Sequence, residues 1–187
     1  MARPGDGSVD TEAGNPQLRD ARYCWQKDRE RYGAKPFFRE QSIWAVAVFR
    51  WGQWGDQHPR KLVRLTCDRV YWPVYRLVET LTGITLDKTT EVGAGLRIYH
   101  FGGIVVHPKA RLGQHVTLRQ GTTIGERKTG AGAPRIGDSV EIGAHALVLG
   151  DISVGDGARV GAGALVIRDV APGGVALGIE SRILPGS

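Results

Sequence analysis

The chain has 187 residues, enough for one domain with or without a smaller attachment. Its 27 glycines are about twice the usual share of roughly 7%, and no G-X-Y period accompanies them, so collagen is excluded and a tightly turning β-repeat is favoured. The formal net charge of +6 is spread thinly: −2 over residues 1–18, +6 over 19–82 and +2 over 83–187. No basic stripe of the kind that binds nucleic acid results, although a mildly positive field suits a polyanionic small molecule. Cys24 and Cys67 are too few for a disulfide framework or a metal cluster, so reduced thiols in the cytoplasm are expected. The polar start shows no signal peptide, and the most apolar run, Ile43–Phe49, is too short to span a membrane.

In chain order, residues 1–18 have the polar, Pro- and Gly-containing composition of a disordered tail. Residues 19–83 read as helical. Apolar residues recur at helical spacing in two segments, one around Trp44, Val46, Phe49, Trp51 and Trp54, the other from Leu62 to Leu81. Gly83 supplies a helix C-terminal signal. All five tryptophans precede residue 73, and they are expected to form the helical core and partner contacts rather than a ligand cage.

From Ile84 the pattern changes to a six-residue period, running through residue 187. Frames open on Leu86, Val92 and Ile98, then Val106, Leu112, Leu118 and Ile124, then Ile136, Ile142, Val148, Val154, Val160 and Val166. The residue four on is usually small or branched, as at Thr90, Ala110, Val116, Thr122, Val140, Ala146, Ala158 and Ala164. Six residues make one short strand and one turn, with both marked positions pointing inward. Three such units make one triangular coil, so each strand should pair with the strand eighteen positions on. No coil buries its own face; stacking does that. The period does not fix the hand of the coil, and ordinary crossover rules favour right-handed connections. It breaks twice: an insertion of two between Ile98 and Val106, and an unpatterned stretch at 125–135 read as a loop thrown out from the prism, where function tends to sit.

The segments GAGLRIYHFGGIVVHPKARLGQHVTLRQGTTIG (93–125) and IGDSVEIGAHALVLGDISVGDGARVGAGALVIRDVAPGG (136–174) resemble the hexapeptide-repeat acyltransferases. The likeness is greatest to the serine acetyltransferases and to acetyltransferases of surface-polysaccharide synthesis, and it covers roughly residues 20–184. It implies a mainly β fold, a left-handed parallel β-helix preceded by a small α-helical cap, that assembles as a homotrimer, with a dimer of trimers left open. It implies acetyl-CoA as donor and a hydroxyl acceptor, L-serine or a sugar. His100 stands where the family has its general base, and neutral imidazole suits removal of a hydroxyl proton near pH 7. Tyr99, His107 and Asp87 are the implied substrate residues. Gly143, Ala144, Gly161 and Ala162 match the backbone contacts to the pantetheine arm, and Lys128, Arg135, Arg168 and Arg182 are candidates for its phosphates. The sequence departs from the serine enzymes at Tyr99, Thr85 and Ala133, where they carry Asp, Asp and His, and at the closing Gly178-Ile179-Glu180-Ser181. His115 and His145 fall at turns and should face solvent. The histidine spacing does not match a β-helical zinc enzyme. N-acylation of an amino sugar and a non-catalytic scaffold stay open alternatives.

Overall fold

The computed structural model describes residues 20–178. The expected tail 1–18, Arg182 and the segment 179–181 lie outside them. Four helices come first: α1 (Ala21–Glu30), α2 (Pro36–Arg39), α3 (Ser42–Gln57) and α4 (Lys61–Thr82). Asp20 starts α1 by accepting the Arg22 and Tyr23 amides, and Gly83, at φ 62°, ends α4 in the left-handed conformation that suits glycine. The first strand begins at the next residue.

Fourteen short parallel strands follow and wind as a left-handed β-helix of about five turns. Face 1 stacks β1 (Ile84–Leu86), β4 (Ile104–Val106), β7 (Thr123–Gly125), β10 (Leu147–Leu149) and β13 (Leu165–Val166). Face 2 stacks β2 (Glu91–Val92), β5 (Arg111–Leu112), β8 (Arg135–Ile136) and β11 (Ser153–Val154). Face 3 stacks β3 (Arg97–Tyr99), β6 (Thr117–Arg119), β9 (Glu141–Ile142), β12 (Arg159–Val160) and β14 (Val175–Ala176). All thirteen frame-opening residues are buried, as the period requires.

The uniform step of eighteen does not hold. Ile98 pairs with Leu118 and Leu118 with Ile142, so only coils without an insertion keep the expected step, as at Ile142–Val160. The ladder survives because each insertion is expelled at a corner and leaves the strand register intact. Gly125 and Arg135 both pair within strands, so the excursion narrows to 126–134.

The tryptophans are not the helical core. Phe49, Ile43, Val46 and Tyr71 fill it, whereas Trp25, Trp44, Trp51 and Trp54 are half-buried and Trp72 is exposed. A large ring with an N–H to satisfy belongs at a perimeter: the Trp44 indole donates to the Phe37 carbonyl at 3.0 Å. Leu62, Leu65, Val70, Leu77 and Leu81 of α4 also face outward, since α4 buries the stripe through Tyr71, Tyr75 and Thr82 instead.

The helices close the open end of the coil stack. Arg50, 2% exposed, donates to the carbonyls of Val92 (2.9 Å) and Gly93 (2.6 Å) and to the Asp28 carboxylate (2.7 Å), which itself accepts the Leu96 amide at 2.7 Å. Ser42 donates to the Ile98 carbonyl, and the Tyr71 hydroxyl accepts the Lys88 amide. Arg50→Met leaves the Asp28 carboxylate buried without its cation, and thermal melts should report a loss of about 3–5 kcal/mol. Adding Asp28→Leu to that variant should restore part of the loss.

Candidate active site

The chemistry-bearing residues collect along two of the three prism edges. At the edge between faces 3 and 1, the in-register residues Ile98, Leu118, Ile142 and Val160 carry, two positions on, a column of His100, Gln120, Ala144 and Ala162. Gly143 and Gly161 lie one residue earlier in their coils. A Cβ on Gly143 would stand 2.5 Å from the Ala162 amide nitrogen, so glycine alone lets these coils stack here. Below His100 the edge carries Gln120 first and then, in the next two coils, only small residues, as a close approach to backbone requires.

His100 heads this column because of the two extra residues in its coil. Gly103, Gly121, His145 and Gly163 hold the regular left-handed corner position, at φ 67°, 72°, 57° and 67°. His100 lies three residues before that position yet is also left-handed, at φ 64°, a conformation that costs a non-glycine residue about 1–2 kcal/mol. The turn is braced from α4: the Gly102 amide donates to the Thr82 carbonyl at 2.8 Å and the Ile104 amide to Gly83 at 3.0 Å. The imidazole is exposed and has no hydrogen-bond or ionic partner among the described residues.

Tyr99, 37% exposed, faces outward beside it. Its ring lies between two guanidinium groups, with Arg97 at 4.2 Å and Arg119 at 5.0 Å from the ring centre. Arg97 also packs on Tyr32 at 3.9 Å and is ion-paired to Glu40. Thr85 sits on the outer surface of face 1. The carboxylate near it comes from α4: Glu79 accepts from Tyr75 and Arg76 at 3.2 and 2.7 Å. Burial raises the Glu79 pKa, but the hydrogen bonds of Thr85, Arg76 and Tyr75 outweigh it and hold the group ionised below its usual range.

Asp87 and His107 do not join His100 within the chain. They stack at the edge between faces 1 and 2, because Leu86 pairs with Val106, and a three-residue strand of roughly 10 Å separates the two edges. Asp87 accepts the Thr89 amide and hydroxyl at 2.8 and 2.9 Å, closing its own turn. His107 Nδ1 accepts the Lys109 amide at 3.2 Å, and its Nε2 stands 3.9 Å from Glu126 Oε1. Glu126 also approaches Lys109 at 3.5 Å and accepts the Gly130 amide at 2.7 Å, so it ties the excursion to this edge.

The basic candidates divide as well. Lys128 is exposed on the excursion and Arg168 is exposed beyond β13, near the edge of faces 1 and 2. Arg135 points out of face 2 and pairs with Asp151 at 3.3 Å. His115 and His145 are exposed, as expected. Arg119, Glu79, Gln120 and Glu126 went unread in the sequence. For Arg119 the signal was available, because a step of twenty across the insertion places it against Tyr99. Nothing in the sequence pairs Glu79 with Thr85 or Glu126 with His107.

The family model for the bacterial transferase hexapeptide (six repeats) matches residues 133–168. The putative colanic acid biosynthesis acetyltransferase WcaB of Escherichia coli K12 is 33% identical over 82 residues, 43% of this chain and 51% of that protein. The serine acetyltransferase of Mycobacterium tuberculosis is 37% identical over 106 residues, 56% of this chain and 46% of that protein. The chain thus spans about half the length of these relatives. A solved serine acetyltransferase in complex with CoA is 25% identical, with a TM-score of 0.68 over 92% of this chain and 72% of its own. Repeats, fold and likenesses together make the chain similar to the hexapeptide-repeat transferases, and among them to serine acetyltransferases and a polysaccharide acetyltransferase.

Proposed function

We propose that the chain is an acetyl-CoA-dependent O-acetyltransferase with His100 as general base. The observation that carries this is an exposed, unpartnered imidazole, held in a left-handed turn at the head of an edge that runs through Gln120 to the small residues Ala144 and Ala162. The acceptor oxygen attacks the acetyl carbonyl carbon as its proton passes to the imidazole. The carbon–sulfur bond then breaks, and the imidazolium returns the proton to the CoA thiolate, giving an acetyl ester and free CoA. The pantetheine arm lies along Gly143, Ala144, Gly161 and Ala162, where no side chain intrudes.

The proposed assembly is a homotrimer. Face 1 presents Thr85, Val105, Thr123, Leu147 and Leu165 outward, with Val105 42%, Leu147 38% and Leu165 58% exposed. Face 2 presents Glu91, Arg111 and Arg135 instead. Turning face 1 of three copies to a common axis covers the apolar column. It also brings the His100 edge of one copy beside the His107 edge of the next, which supplies Lys128 and Arg168 for the CoA phosphates and His107 for the substrate. A cytoplasmic location fits the acetyl-CoA supply and two cysteines that form no disulfide. Among the described residues no helix is long and apolar enough to cross a membrane.

Free-CoA release over a panel of L-serine, other amino acids and sugar derivatives should fall by about 10²–10⁴-fold in His100→Ala at unchanged affinity for CoA; unchanged release removes His100 from the mechanism. Leu165→Asp should shift the scattering mass of the wild type toward one-third. The Gly130 amide, with Lys109 and His107, holds the Glu126 carboxyl below its ordinary range. Its hold on the excursion is therefore complete above about pH 4.3 and is lost as pH falls through the lowered value. Hydrogen exchange at 126–134 should rise in Glu126→Gln at pH 7, and the wild type should match it only in acid.

A further inference from the structure

Resting on the acyl-transfer reading, we infer that the acceptor is an anionic, ring-shaped alcohol, recognised by Tyr99 and Arg119 beside His100. Tyr32, Arg97, Tyr99 and Arg119 form one alternating ladder of rings and guanidinium groups, with successive separations of 3.9, 4.2 and 5.0 Å. Its inner cation, Arg97, is buried and neutralised by Glu40. Its outer cation, Arg119, is exposed and makes no ion pair among the described residues. Contact with the Tyr99 ring restrains that guanidinium, and its N–H donors make no hydrogen bond among the described residues, so they are open to bidentate capture of a carboxylate or phosphate.

Tyr99 is 37% exposed and directly precedes the proposed base in the chain. An exposed aromatic edge beside a charged fork fits a pyranose carrying an acid group: apolar C–H groups of the sugar meet the edge of the ring, its anion meets Arg119, and a hydroxyl is left for His100. A free amino acid fits less well. No carboxylate stands at position 99 to take an ammonium group, and the cations Arg97 and Arg119 flank Tyr99. Carboxylate and phosphate share this chemistry, and the acceptor series distinguishes them.

The test compares glucose, glucuronate and glucose 6-phosphate as acceptors, and L-serine beside them, for wild type, Arg119→Gln, Arg119→Lys and Tyr99→Leu. The expected result is a preference of wild type for the anionic sugars. Arg119→Gln should lower their kcat/KM at least about tenfold while glucose stays within about twofold and the acetyl-CoA KM holds. Arg119→Lys should recover part of the loss, and Tyr99→Leu should weaken both sugar classes but not L-serine. Equal use of glucose and its anionic derivatives overturns the inference, as does an Arg119→Gln defect confined to the acetyl-CoA KM. Absence of CoA release with every acceptor strikes the acyl-transfer reading instead. Calorimetric titration of glucose 6-phosphate then still decides this one: binding lost in Arg119→Gln but kept in His100→Ala upholds it, and binding that is absent or indifferent to Arg119 ends it. Arg119 is exposed, and matching thermal melts exclude misfolding.

Discussion

A stack of parallel coils has an unpaired end, and the rest of this structure depends on how that end is closed. The first coil exposes carbonyls at Val92, Gly93, Gly95 and Ile98 and amides at Lys88, Leu96 and Ile98, none of which has a strand above it. Arg50, Arg31 and Ser42 donate to the carbonyls, while Tyr71, Asp28 and Tyr32 accept from the amides. Side chains of three helices and of the turn after α1 thus stand in for the missing strands, blunting an edge that would otherwise recruit another chain. The buried Asp28–Arg50 pair is the centre of this cover, and its charges are tolerable only because backbone groups complete their hydrogen bonding.

The same cover positions the proposed chemistry. α4 ends in Thr82 and Gly83, and their carbonyls accept the Gly102 and Ile104 amides in the turn that follows His100. The imidazole therefore hangs on a turn fastened at one side to the helical cap and at the other to the coil below, through the Gly121 amide on the Gly102 carbonyl. Strain at a left-handed histidine persists only where its surroundings dictate it. Here they do, and the result is an exposed imidazole at the head of its edge.

The division of residues between two edges has a simple origin. In a triangular prism, residues at successive corners are one strand apart, and no side chain bridges that distance. His100 and the small-residue column share one corner line; Asp87, His107, Glu126 and the excursion share the next. Only a neighbouring copy can bring such lines together, which is why the proposed assembly and the proposed chemistry stand on one geometry. The column of Val105, Leu147 and Leu165 between the two lines supplies the apolar surface such a contact needs.

The hexad period alone determined much: which residues point inward, where the coils break and that His100 belongs to a break, because burial of one side chain in each strand is a local alternation readable from spacing. The family likeness suggested the hand of the coil and the role proposed for His100. What only the tertiary structure decided were the relations between coils. The tryptophans fell to the perimeter, Arg119 came under Tyr99, Glu79 reached Thr85 from a helix, and Asp87 turned to its own backbone. Those neighbours are set by register across insertions and by helix packing. Both are sums over distant contacts, and neither leaves a mark in local spacing.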